Sequence, residues 1–349
     1  MNNFLWALIL LFPTNLLGQS DSPISGRTIF EDELIYPSDL VVVGDYLFVK
    51  DLLESTGEYG VKTFSLKDEK KVNEFITIGR GPSEYLNINI RNGPLDRTIE
   101  ITDSRNRKND IYSVDCLVTV ETGKSISKCL KASRRNMTSR EAIVLNDSLV
   151  INTASSAKGV IFLSLEGKIL NHIDEIPTEI LKKYKNPSVA AMVMGGYLVA
   201  NKTRTRIAYF AKYYDQVYFL ENSDAGMAII KEYHFTHLPE FIVLNEGGSS
   251  YMEPSDKAKF GYKSPYPTEN YVYVLYSGKT LDDVEESEDI EWRAYANRIK
   301  IFDWNGVEKG EILVNEVLSS IAVSTDSREI YGVTTDRALN SSIIKYTVN

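Results

Sequence analysis

The sequence predicts an all-β fold, a six-bladed β-propeller, on three observations: a strand-turn-strand unit that recurs along the chain, a composition with 11% aromatic residues and 21 Tyr, and few long stretches of helical period. The clearest copy of the unit lies between Tyr271 and Ile312. Tyr271-Val-Tyr-Val-Leu-Tyr276 is a strand by its β-branched and aromatic content, Arg298-Ile-Lys-Ile-Phe302 is the next, and Asn305-Gly306 marks a hairpin turn, since Gly takes positive φ without penalty and Asn at low cost. Strands of the shape of Asn297 to Asp303 begin also at Gly60, Asn109, Gly159, Asp215 and Ser341. The successive intervals are 49, 50, 56, 82 and 44 residues, the period of a four-stranded sheet with its turns, and the 82 marks an insertion.

In chain order, Met1-Asn-Asn precedes an apolar run from Phe4 to Phe12, then Leu16-Leu17 and Gly18-Gln19-Ser20. This reads as a secretory signal peptide over residues 1–20, with cleavage before Asp21 or before Gln19. The run falls short of the ~20 residues that span a bilayer, and no later stretch reaches that length. The mature chain, 21–349, is expected to be one propeller domain, periplasmic or secreted, monomeric and without a transmembrane segment.

Blade 1 is expected from Asp39 to Ile78. Blade 2 takes Ile99 to Asp103 and the strand at Asp110, with Cys116 and Cys129 flanking a turn at Glu121-Thr-Gly-Lys124. After export these two residues either form a disulfide or stay as partly buried thiols. Blade 3 runs from Ala142 to Ile173 with a turn at Glu166-Gly167. A short helical interval at Thr178 to Tyr184 then precedes blade 4, from Tyr197 to Phe235. Blade 6, from Ile321 to Val348, stops one strand short, so Thr28-Ile-Phe30 or Glu33 to Tyr36 near the mature N-terminus must supply the outer strand and close the ring.

Gly79-Arg-Gly-Pro-Ser-Glu84, Tyr271 to Lys279, Phe302-Asp-Trp-Asn-Gly306 and Ile330-Tyr331 with Ile344-Lys-Tyr346 together resemble the TolB-like six-bladed propeller proteins exported by Bacteroidetes. Ser83 stands where that family often has Gly, and Tyr85 where it often has Phe. The resemblance implies the fold and a periplasmic or surface location. It implies no particular reaction, because one fold hosts many functions.

The formal net charge of −9 excludes the basic footprint that nucleic acids and anionic membranes require. In a propeller, loops joining blades and loops between the second and third strands emerge on one face. That face is expected to carry Arg80 and Glu84, then Arg105 and Arg107, then Arg134 and Arg135, the candidate partner-binding residues. Across the ring lies the acidic stretch of blade 5, Asp282, Asp283, Glu285, Glu286, Glu288, Asp289 and Glu291. Arg80 reads first as a side chain that pairs with Glu84 or caps loop carbonyls within its own turn, and second as an anion-binding group at the channel mouth. The acidic stretch lacks the order of an EF-hand, so it reads first as solvated, with calcium the one ion its oxygens suit; no other cofactor is expected. His234 and His237 point to opposite faces of a strand, which disfavours a shared metal, and no nucleophile elbow or phosphate loop is present, so no catalytic residue is assigned. The sequence therefore points to a non-catalytic exported module presenting its loop face to a protein or glycan. The alternative is a calcium-assisted hydrolase or lyase acting in the central channel.

Overall fold

The computed structural model describes residues 22–30, 34–51, 59–79, 81, 84–135, 142–146, 149–153, 161–164, 168–172, 178–224, 226–234, 238–246, 249–280, 282–283, 296–336 and 340–348. These form six antiparallel four-stranded sheets and one two-stranded hairpin. From inner to outer strand, blade 1 is Pro37–Val43, Tyr46–Asp51, Tyr59–Ser65 and Lys70–Thr77. Blade 2 is Ile88–Asn92, Thr98–Asp103, Lys108–Ser113 and Leu130–Arg135, and blade 3 is Ile143–Val144, Leu149–Asn152, Ile161–Ser164 and Ile169–His172. Blade 4 is Gly196–Ala200, Arg206–Ala211, Val217–Ser223 and Gly226–Tyr233, and blade 5 is Tyr262–Pro267, Tyr271–Tyr276, Ala296–Asp303 and Glu308–Leu318. Blade 6 has Ser320–Val323, Glu329–Thr335 and Ser341–Thr347.

The outer strand of blade 6 is Arg27–Ile29, which pairs Arg27 with Lys345, Thr28 with Ile344 and Ile29 with Ile343. The ring thus closes with the N-terminal strand, as the missing strand of the last repeat requires. Phe30 follows with φ of 55° and turns its ring onto Phe64 of blade 1, centroids 4.3 Å apart, which locks the closing strand to the neighbouring sheet. Ile24 adds a parallel bridge to Val314 of blade 5.

Each sheet is covered on both faces, which explains why the second strands read as continuous apolar runs rather than alternating ones. In Tyr271–Tyr276, Tyr273 and Leu275 join the cluster shared with blades 6 and 1, whereas Val272 and Val274 join the cluster shared with blade 4. Blades 1 and 2 share a third cluster, and blades 3 and 4 a fourth.

The inter-blade loops are held by a device that repeats. At the end of the second strand of blade 1, the Asp51 carboxylate accepts the amides of Ile35 and Tyr36 just before the inner strand begins. In blade 2 the equivalent Asp103 accepts Leu86 N at 2.7 Å and Asn87 N at 3.3 Å, and also Arg105 N and Asn106 N of its own turn. One fully buried carboxylate thereby satisfies donors from two loops that no ladder serves.

Three local expectations change. Cys116 lies on a short helix, Val114–Leu117, and Cys129 ends a tight turn, Ser127–Cys129; the expected turn at Glu121 to Lys124 stands between them, with Lys124 N on Glu121 O at 3.0 Å, and the two residues form a disulfide with Cα atoms 5.4 Å apart. Ser133, Arg134 and Arg135 belong to the outer strand of blade 2 rather than to a loop, because they continue the ladder with Lys108 to Asp110. In the turn after Asp303 only Gly306 takes positive φ, at 80°, while Asp303 Oδ1 accepts Asn305 N and Val307 N, both at 2.9 Å. The Glu166-Gly167 turn and the signal segment lie outside the described residues.

Two stability outcomes follow from this packing. Deleting residues 22–30 frees the edge of Ser341–Thr347, so the truncated chain should aggregate in size-exclusion light scattering where the full mature chain does not. Asp103→Ala should lower stability in urea unfolding by about 3 kcal/mol, as several charge-assisted bonds are lost together. A change within ~0.5 kcal/mol would show that the carboxylate is dispensable.

Candidate functional site

The six inner strands surround a central cavity of about 1110 Å³. Each inner strand starts at the loop face and ends at its first hairpin turn, so residues late in these strands mark the far end of the cavity. That end is crossed by Tyr266. Its hydroxyl reaches from blade 5 across to blade 1, where it accepts Val42 N at 2.9 Å and donates to Val42 O at 3.2 Å, and to blade 2, where it accepts Asn92 Nδ2 at 3.1 Å. Burial pushes the Tyr266 phenol up to about 12, so at neutral pH it keeps the proton that lets it donate as well as accept.

A bulge aims this side chain. The register of the inner strand slips between Lys263 and Tyr266, and Ser264 adopts φ of 50° ahead of Pro265. Ser264 Oγ is held by Ser320 Oγ at 3.0 Å and by Ile321 N at 3.1 Å, which fixes the distorted backbone against blade 6. An extra residue in a strand redirects the side chain beside it, here toward the far wall.

The open end is enlarged by two insertions. Helices Thr178–Tyr184 and Pro187–Val193 lie between blades 3 and 4, and the hairpin Phe241–Glu246 with Ser249–Pro254 lies between blades 4 and 5. They are joined by Tyr184, whose hydroxyl accepts Phe241 N at 3.1 Å and donates to Pro239 O, and by the Lys183–Glu240 pair at 2.6 Å. Met192, Met252 and Pro254 from these insertions line the cavity, so blades 3 to 5 carry a raised wall. Ile35 and Tyr36, 50% and 59% exposed, line it from blade 1 opposite. The result is a cup: crossed near its far end by Tyr266 and walled higher at the loop face.

Its lining mixes hydroxyls and amides, among them Ser38, Asn89, Asn92, Ser264 and Ser320, with the aromatic rings of Tyr36, Tyr197 and Tyr213. The charged residues among the described lining are Asp39, Arg91, Arg204, Lys212 and Lys263. Asp39 lies 3.4 Å from Lys50, which is outside the lining.

Arg204 belongs to an unusual seam. Ile99 and Ile101 of blade 2 face the apolar cluster shared with blade 1, so the alternating Glu100 and Thr102 face blade 3. Among the described residues this junction has no apolar cluster. Instead Glu100, 1% exposed, accepts Arg204 Nη2 at 2.5 Å and Asn109 Nδ2 at 2.5 Å. Arg204 comes from the first turn of blade 4 and reaches past blade 3, whose inner strand is only Ile143–Val144. Burial pushes the Glu100 carboxyl up, but Arg204 and Arg91 outweigh it and hold it below the usual carboxylate range. Burial lowers the Arg204 guanidinium, which has ample reserve to stay charged at neutral pH.

The residues singled out in the sequence fall elsewhere. Glu84 is turned inward: its carboxylate accepts Gly81 N at 2.6 Å, and a Cβ on Gly79 or Gly81 would lie within 3 Å of it, so the motif specifies its own loop. Lys108 donates to Glu84 O at 2.6 Å and stacks on Tyr85, 4.4 Å from the ring centroid. Arg105 and Arg107 are exposed in the turn between the second and third strands of blade 2, on the loop face, and Asp282 and Asp283 are exposed in the matching connection of blade 5. Arg134 is paired across strands with Asn109 and therefore faces the seam with blade 3. Arg135 ends its strand opposite Lys108. Arg80, Glu285, Glu286, Glu288, Asp289, Glu291 and His237 lie outside the described residues, and His234 is exposed beside Glu232 at 3.1 Å. The cup itself had one signal in the sequence: Pro265 and Pro267 flanking a Tyr, a pattern suited to an edge strand with a bulge.

The seam yields a pH-dependent outcome. A carboxyl lowered in the folded state contributes stability that is complete above its unfolded value, about 4.3, and is lost as pH falls through the folded one. Glu100→Gln should therefore destabilise the protein at pH 7 by about 3 kcal/mol, since it leaves a buried guanidinium without its counter-charge. The deficit relative to the unsubstituted chain should shrink below pH 4 in urea unfolding, and a deficit that stays constant to pH 3 would contradict the ion pair.

Comparison with known proteins places this geometry. No curated protein matches the chain. Two solved structures share the fold over 94% of this chain and 97% of theirs: a Bacteroides fragilis protein provisionally described as exported, at 12% identity and a TM-score of 0.52, and a DUF4221 family member from Bacteroides vulgatus, at 10% identity and a TM-score of 0.52. Among the described residues no helix is long and apolar enough to cross a membrane. The family profile described as TolB-like 6-blade propeller-like matches residues 19–326, and with that extent of agreement the chain belongs to the TolB-like six-bladed propeller family.

Proposed function

We propose that the protein is an exported, non-catalytic binding module that receives a glycan through its loop face. The observation that carries this reading is the cup: a cavity crossed near one end by Tyr266 and walled higher at the other by the inserted helices and hairpin. A cavity of this size encloses most of a small oligosaccharide, and its many hydroxyls and amides match a polyhydroxylated ligand while the exposed ring of Tyr36 offers a face for the apolar side of a sugar. The loop-face arginines Arg105 and Arg107 would then orient a larger partner that bears the glycan, acting on approach more than on affinity.

A calcium-assisted hydrolase in the channel fits the lining less well. Calcium takes 6–8 oxygen ligands with carboxylates among them. The described lining offers Asp39 as its carboxylate, already beside Lys50, and its other charged side chains are cations.

A glycan array probed with the mature chain should give a defined set of hits. Tyr36→Ala should weaken each hit about five-fold, in line with the roughly 1 kcal/mol of a well-placed aromatic contact, without moving the unfolding midpoint. An array without hits, or hits indifferent to Tyr36, would refute glycan capture in the cup.

A further inference from the structure

We infer that the ligand of the cup is acidic, a saccharide bearing a carboxylate or sulfate, anchored by Lys212 and Lys263 on the wall between blades 4 and 5 and contacted at depth by Arg204; this rests on the glycan reading above. The protein as a whole carries a net charge of −9, so a cationic interior is not an overflow of its composition. Among the described lining Asp39 is the one carboxylate and has Lys50 beside it, and of the four cations Arg204 is bonded to Glu100 behind the lining, which leaves Lys212 and Lys263 as the positive charges on the wall between blades 4 and 5.

The two lysines are brought together by the backbone. Gly261 N donates to Lys212 O at 2.8 Å, which sets the end of the second strand of blade 4 against the start of the inner strand of blade 5, two residues before Lys263. A Cβ at Gly261 would lie 2.2 Å from Tyr214 O, so the close approach requires glycine there. Both residues stand at the loop-face ends of their strands, with the Lys212 ammonium over the Tyr213 ring, so an incoming anion meets this wall first.

Arg204 supplies the second, independent sign of a ligand. It lines the cup, it is 7% exposed, and its Nε has no hydrogen-bond partner among the described residues. A buried donor left without an acceptor is costly, and a ligand oxygen relieves that cost. Because Nη2 of the same guanidinium is already bonded to Glu100, a second anion beside Nε would be repelled by that carboxylate. The oxygen that Nε takes is therefore a neutral hydroxyl or ring oxygen. This orients the saccharide: acid group toward Lys212 and Lys263, hydroxyl-bearing end toward Arg204.

The test uses the intact mature chain on an array holding uronate, sulfated and neutral glycans, followed by titration calorimetry of the tightest hit against its methyl-esterified or desulfated counterpart. The expected hits are acidic, and removal of the charge weakens binding at least about ten-fold, with uronate and sulfated arms telling which acid is preferred. The Lys212→Gln, Lys263→Gln double variant should show the same loss and leave the neutral counterpart unaffected, whereas Arg204→Lys, which keeps the charge beside Glu100 but not the Nε donor, should weaken acidic and neutral forms alike. Neutral hits of equal strength, or acidic hits indifferent to both lysines with unfolding midpoints unchanged, overturn the acidic ligand and leave glycan capture standing. No hits at all overturn the glycan reading itself.

Discussion

The pairing of Arg27–Ile29 with Ser341–Thr347 is the constraint on which the other features depend. A ring of sheets is stable only if every face and edge is covered, and the last repeat provides three strands of its own. The closing strand also fixes where the chain goes next. Phe30 lodges on Phe64, and the amides of Ile35 and Tyr36 are caught by the Asp51 carboxylate. Tyr36 consequently stands at the cup, so the contact that closes the ring also places one side of the candidate site.

The inter-blade junctions are not equivalent, and the differences have a physical logic. Apolar clusters join blades 1 and 2, 3 and 4, 4 and 5, and the arc from 5 through 6 to 1. Among the described residues the junction of blades 2 and 3 has no such cluster: Arg91 donates to Ala142 O at 3.1 Å across it, and on the same face of blade 2 Glu100 bonds Asn109 and Arg204 of blade 4. A buried ion pair is seldom more stabilising than the apolar packing that could replace it. Its retention makes sense where one member also meets a cavity, as Arg204 does.

Much of this architecture is legible in the sequence, and what is not has identifiable causes. The third strands repeat because a strand buried on both faces leaves a dense apolar run, and the missing outer strand of blade 6 follows from counting. The disulfide was one of two open outcomes, since spacing alone does not reveal that Cys116 and Cys129 come within bridging distance. The inner strand of blade 5 is hard to read because the prolines of Lys263-Ser264-Pro265-Tyr266-Pro267 violate the usual strand preferences and fit only an edge strand or a bulge. That violation is what turns Tyr266 across the far end of the cup. Glu84 and Arg134 stood out as charged residues near loops, whereas their roles are set by partners distant in sequence or by cross-strand register. Lys212 and Lys263 carried no motif, since their proximity depends on the Gly261 backbone bond and on the insertion that separates the two blades in sequence.

The account turns on the cup being where the ligand sits and on its orientation there. A crystal structure of the mature chain soaked with the tightest acidic glycan measures both at once. The account predicts density inside the ring of inner strands, with the acid group within hydrogen-bond distance of Lys212 or Lys263, a ligand hydroxyl or ring oxygen at Arg204 Nε, and Tyr266 unmoved across the base. Density confined to the outer loops, or within the cup with its acid group turned away from both lysines, would contradict it.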